Sequence, residues 1–73
     1  MPVKTSVYRK FLKSLGCVYE RTKASHELWS KDGCTRPITF QGANKDIPDH
    51  HIKTNNVTLG LTKKEFDKLI SEL

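Results

Sequence analysis

The apolar positions of this chain change period twice. Val7, Tyr8, Phe11, Leu12 and Leu15 recur at helical spacing and form one face, with Lys4, Arg9, Lys10, Lys13 and Ser14 on the other. This predicts an N-terminal helix capped by Thr5 or Ser6, with a solvated cationic side and a stop at Gly16. The period then shortens. Cys17 to Thr22 reads as a strand whose inner face is not settled, because Cys17 and Tyr19 alternate against Val18. Ser25 to Ser30 reads as a second strand. Asp32-Gly33 predicts a two-residue hairpin turn, and Arg36 to Gln41 the returning strand, with Pro37 marking an edge or an irregular start.

A turn at Asp32-Gly33 also sets a register. Lys31 then faces Cys34, Trp29 faces Arg36, and Glu27 faces Ile38. Trp29, Ile38 and Phe40 share the core face, while His26, Leu28, Pro37 and Thr39 project from the other. Glu27 is a misfit on the core side, so the strand is expected to bend or fray there.

Helical spacing returns after the polar loop from Gly42 to Asp46. Pro48 suits the first turn of a second helix, in which Ile52, Asn56 and Leu59 form a stripe with Val57 beside it and Gly60 ends it. Asn56 on that stripe is expected to bond a neighbouring loop. Thr62 and Glu65 form a capping box for a last helix from Lys63 to about Glu72, burying Phe66, Leu69 and Ile70. The order is helix, three antiparallel strands, then helices. It predicts a single α+β domain over 1–73 with the helices on one sheet face.

Composition narrows the class. The chain has 73 residues, 36% hydrophobic and 29% charged, which fits a folded domain rather than a disordered segment. No apolar run is long enough to span a membrane, and the N-terminus does not read as a signal sequence. Cys17 and Cys34 lack metal-site spacing; they are read as reduced thiols of a cytoplasmic protein, with a single disulfide between them as the alternative that the sequence leaves open. The net charge of +5 is uneven: residues 1–45 hold nine Lys or Arg against three Asp or Glu, and residues 46–73 hold four against five. The basic portion is therefore the first helix and the strands, and such a face attracts phosphate backbones. Solubility alone also accounts for charge of this size.

The chemistry concentrates in Arg21-Thr22-Lys23-Ala24-Ser25-His26. Histidine is the side chain that ordinarily exchanges protons near neutrality, and arginine and lysine are the usual phosphate-binding groups. A base beside phosphate-binding groups is what RNA cleavage needs. The same residues also suit a plain hydrogen-bonded turn with solvated charges. His50 and His51 are adjacent on a helix and point about 100° apart, with no third ligand at metal spacing, so they are read as surface residues. Trp29 has the parity of a core residue rather than of a base-stacking one.

Taken together, Arg21 to His26 followed by Trp29, then Ile47-Pro48, Leu59-Gly60-Leu61-Thr62 and Glu65-Phe66, resemble a HicA-type toxin of bacterial and archaeal toxin–antitoxin pairs. The resemblance covers nearly the whole chain. It implies a fold like a double-stranded RNA-binding domain, an mRNA-cleaving activity, and a HicB-type antitoxin that blocks the active surface. The catalytic histidine of the family's Gly-Ser-His motif falls on His26. The family usually has glycine where this chain has Ala24, and glycine reaches backbone conformations that alanine disfavours.

On this reading His26 is the general acid or base in attack by the RNA's own 2′-hydroxyl, with no metal or other cofactor. Arg21, Lys23, Ser25 and Arg36 are the expected RNA-binding residues, the cations stabilising the phosphate charge. Arg36 is expected on the core-face parity opposite Trp29, so its guanidinium has to reach the sheet edge. Two readings of other classes stand beside this one: a non-catalytic RNA-binding module of the same fold, and an interaction domain docking an acidic partner.

Overall fold

The computed structural model describes residues 3–73; Met1 and Pro2, the start of the N-terminal stretch discussed above, lie outside the described residues. The elements are β1 (Val3–Lys4), α1 (Thr5–Ser14), β2 (Val18–Lys23), β3 (His26–Ser30), β4 (Ile38–Gln41), β5 (Asp46–Ile47), α2 (Asp49–Leu59) and α3 (Lys63–Ser71). β2, β3 and β4 form an antiparallel sheet in that order, and β1 pairs with β5 in a separate ribbon. This is a small α+β domain.

One core joins the helices to one sheet face. Tyr8, Phe11 and Leu12 of α1 meet Trp29, Ile38 and Phe40 of the sheet, with Ile47, Ile52 and Phe66 closing the cluster. The Tyr8 ring stands edge-on to Phe40 at 5.3 Å between centroids, and Phe11 edge-on to Phe66 at 5.0 Å. Burying each such side chain stabilises the fold by about 1.5–3 kcal/mol. Leu69 and Ile70 pack at the margin.

The helix ends follow local chemistry. Past α1, Gly16 takes φ +86°, the Cys17 N–H bonds to Leu12 O and the Gly16 N–H to Lys13 O, satisfying otherwise orphaned carbonyls. The Thr62–Glu65 capping box forms in both directions. Neither Thr5 nor Ser6 caps α1, however. The N-cap is Lys4, without a side-chain bond, because β1 runs straight into the helix. Thr5 is buried in the first turn, and its hydroxyl donates to Asn44 O at 2.6 Å.

The β3–β4 register differs from the expected one by two residues. Trp29 pairs with Ile38, Leu28 with Thr39, Glu27 with Phe40 and His26 with Gln41. The Lys31–Cys34 turn itself forms, with Gly33 at φ +88°. The chain then does not return directly to the ladder. Cys34 Sγ donates to Thr58 O at 3.4 Å, and pairing with β3 resumes only at Ile38. A shift of two preserves the side-chain faces, so Trp29, Ile38 and Phe40 still share the core side.

In α2 it is Asn55, not Asn56, that bonds a neighbouring segment: Asn55 Nδ2 donates to Thr39 O at 3.0 Å, while Asn56 Oδ1 has no partner. Val57 is 82% exposed and contributes nothing to the stripe. Among the described residues no helix is long and apolar enough to cross a membrane. Cys17 and Cys34 are free thiols.

Candidate nucleic-acid interface

Two local irregularities bring the candidate residues together. The first is the β2–β3 turn. Lys23 pairs with His26, leaving Ala24 and Ser25 as a two-residue loop with φ +48° and +76°. Positive φ at both loop positions is the hairpin geometry whose twist matches the flanking strands. Alanine and serine occupy it at a conformational cost that glycine or asparagine would largely avoid.

The second is a bulge in β2. Tyr19 pairs with Trp29 and Arg21 with Leu28, so Glu20 is an extra residue without a partner across the ladder. Its carboxylate accepts from Ser30 Oγ at 3.0 Å. Paired residues share a face, so Tyr19 lies on the core side with Trp29, and Arg21 lies on the outer side with Leu28. Without the extra residue, Arg21 and Lys23 would have the parity of Tyr19 and point to the helix side. The bulge therefore places Arg21 and Lys23 on the face that carries His26.

On that outer face, Lys23, His26 and Gln41 form one cross-strand row, and Arg21, Leu28 and Thr39 the next. Arg21 and Lys23 are exposed, and His26 and Leu28 are half-buried. Ser25, exposed in the turn, accepts the Gly42 N–H on its backbone oxygen at 3.1 Å. The row is open to a polyanion from above, since the helices pack on the opposite face. A groove of about 580 Å³ lined by Val7, Ile52, Phe66 and Ile70 lies among the helices and contains none of these residues.

Arg36 does not join them. It is exposed in the segment before β4, beyond the far end of β3. His26 opens that strand and Ser30 closes it, a run of about 13 Å at ~3.3 Å per residue. The two-residue register shift carries Arg36 past the position opposite Trp29 where it was expected, and so still further from His26. Tyr19 is 47% exposed on the edge strand, edge-on to Trp29, with its hydroxyl 2.7 Å from Thr22 Oγ1. Trp29 is 3% exposed and is a core residue. His50 and His51 lie on α2 with ring centroids 4.4 Å apart. Among the described residues no three His, Cys, Asp or Glu side chains gather as metal ligands would.

The sequence reading missed what holds His26 from beneath. Glu27 does not fray the strand. Arg9, expected on the solvated side of α1, reaches the sheet and donates from Nε to Glu27 Oε1 and Oε2 at 3.2 and 3.1 Å. Its Nη2 donates to Glu27 Oε2 and, at 3.0 Å, to Gly42 O. The Trp29 indole donates to Glu27 Oε1 at 3.1 Å. The Arg9 guanidinium, and to a lesser degree the Trp29 indole, holds the Glu27 carboxyl below its usual range, against the upward push of burial. Glu27 reciprocally raises Arg9. A carboxylate at a core-facing strand position was the available signal, since burial there demands a cation.

Comparison of the chain with protein-family models, with curated proteins and with solved structures finds no match in any of the three.

Proposed function

We propose that this chain is an RNA-cleaving toxin of the HicA type, with a double-stranded RNA-binding-domain-like fold in which α1 and the C-terminal helices back the three-stranded sheet. The observation that carries this reading is the gathering of Arg21, Lys23 and His26 on one uncovered sheet face, achieved by a bulge and a strained turn. Irregular backbone that re-aims side chains is a feature of working sites.

In the proposed reaction the ribose 2′-oxygen attacks phosphorus and the P–O5′ bond breaks. The 2′-hydroxyl proton passes to His26, and the departing 5′-oxygen takes a proton from solvent. The products are a 2′,3′-cyclic phosphate and a 5′-hydroxyl, with no metal required. General base catalysis of this kind contributes about 10²–10⁴-fold. Lys23, across the ladder from His26, and Arg21, one row on, stabilise the added charge on the phosphorane-like state. A HicB-type antitoxin is the proposed inhibitor; by covering the outer face it would block RNA and add stability by mass action.

The test is cleavage of a long single-stranded RNA in EDTA by the parent protein and by His26→Ala. Cleavage that is lost in the variant, with its circular dichroism unchanged, supports the proposal. Strict magnesium dependence, or equal cleavage by both proteins, overturns it. Binding without cleavage by the parent would favour the RNA-binding module instead.

A further inference from the structure

Among the described residues β2 is an edge strand, bonded only to β3, and all six of its residues are exposed. Among them Val18 is 56% and Tyr19 47% exposed. An open edge invites another strand, and the direction of its backbone groups decides which strand fits.

The directions follow from the ladder. The Gly42 N–H bonds to Ser25 O, flanking the His26–Gln41 pair, so His26 directs its own N–H and C=O at Lys23. Antiparallel pairs alternate between bonded and non-bonded. Lys23–His26 and Arg21–Leu28 are therefore bonded pairs, and Thr22–Glu27 and Tyr19–Trp29 are not. Thr22 and Tyr19 thus turn their N–H and C=O groups outward to the free edge. In a regular strand such residues recur at every second position. Here the extra residue Glu20 sets them three apart, so a regular strand docking at one of them misses the other.

We propose that β2 pairs antiparallel with β2 of a second copy of this chain, about a twofold axis between Glu20 and Arg21. A second copy carries the same dislocation. Tyr19 then meets the partner's Thr22, and Thr22 the partner's Tyr19, so both outward-facing residues find bonded partners. The side chains agree as well. Tyr19 and Thr22 both lie on the core side. Val18, paired with Ser30, and Lys23, paired with His26, both lie on the outer side and fall opposite each other across the axis. Glu20, whose carboxylate reaches Ser30, and Arg21 also share the outer side. Each Glu20 carboxylate therefore faces an arginine of the other copy.

The pairing continues the sheet across two copies with all helices on one side. Arg21, Lys23 and His26 of both then lie on one continuous outer face. The proposal stands on the edge geometry and does not depend on what that face binds. One strand pair buries far less than a stable interface of ~1,200 Å² or more, so the dimer is weak and forms at high protein concentration.

Sedimentation velocity and amide NMR over a dilution series up to about 1 mM test it. The expected result is a monomer–dimer equilibrium in which the Tyr19 and Thr22 amides gain exchange protection as the dimer fills. Glu20→Arg or Arg21→Glu alone replaces the two ion pairs by like-charge pairs and should weaken association about tenfold. The two changes together should restore it. A monomer throughout the series overturns the proposal, as does a dimer whose protected amides lie outside β2 or whose affinity the single changes leave unaltered. The wild-type amide measurement decides the question even if a variant fails to fold.

Discussion

Arg9 of α1 and Glu27 of β3 are joined by a forked ion pair through the sheet's core face, directly beneath the end of β3 that carries His26. Arg9 also bonds Gly42 O, and the Gly42 N–H bonds Ser25 O in the turn. Helix, strand end and turn are thus tied in one chain of hydrogen bonds. Removing the cation leaves a largely buried carboxylate with only the indole as partner. Arg9→Ala is expected to destabilise the domain by about 2 kcal/mol in urea unfolding. Arg9→Lys should recover only part of that, since an ammonium cannot reproduce the fork. An Arg9→Ala melt equal to the parent's would remove the pair from any structural role.

Gly42 is required by space rather than by its dihedral angles. A Cβ added there would collide with the Glu27 carboxylate. Gly42→Ala should therefore lower the melting temperature and broaden the amide signals of Ser25 and His26. If the variant melts like the parent, the carboxylate has room that the packing does not suggest.

The Arg9–Glu27 pair also gives the domain an acid limit. The Glu27 carboxyl titrates below its ordinary value of 4.5 in the folded state, chiefly because Arg9 hydrogen-bonds to it. Its stabilisation is complete above pH 4.5 and is lost as pH falls through the folded-state value. Unfolding free energies measured from neutral pH downward should fall more steeply for the parent than for Glu27→Gln. Parallel curves would assign acid sensitivity to other carboxylates.

Tyr8 sets the alkaline counterpart. Burial pushes its phenol from 10.0 up to about 12, only partly opposed by the Asn55 side chain beside it. The folded state holds this proton after the unfolded chain has lost it, so the contribution is present below pH 10 and lost as pH rises from 10 to about 12. A shift of that size corresponds to about 2–3 kcal/mol. The hydroxyl is buried without a well-formed hydrogen bond. Tyr8→Phe should match or exceed the parent's stability at neutral pH and flatten the alkaline loss. A large loss at neutral pH would reveal a bond to the hydroxyl.

Ala24 holds φ +48° in the turn before His26. Ala24→Gly should relieve that strain and stabilise the domain by about 1 kcal/mol. For a domain of this size that is roughly a 5 °C rise in melting temperature. No rise would mean that the entropy glycine adds to the unfolded chain cancels the relief.

The placement of the cations makes a graded prediction for single-stranded RNA. Arg21→Ala and Lys23→Ala should each weaken binding and lower the salt slope by about 0.7, while Arg36→Ala should have a much smaller effect. Equal losses at all three positions would mean that overall charge, not this face, captures RNA.

By itself the sequence determined the α+β order, the Gly16 and Gly60 stops, the Thr62–Glu65 cap, and the sharing of one core face by Trp29, Ile38 and Phe40. These depend on residues near each other in the chain or on a side-chain parity that survives a shift of two. Tertiary structure decided the rest. The pairing of Glu20 with no residue across the ladder is invisible in a local pattern, yet it selects the face of Arg21 and Lys23. The register beyond Cys34 is set where the chain rejoins the ladder at Ile38, after a segment whose Cys34 thiol bonds Thr58 in a distant helix. Arg9 looks like one more solvated cation until α1 packs over β3, because only the folded chain creates a buried carboxylate that it can neutralise.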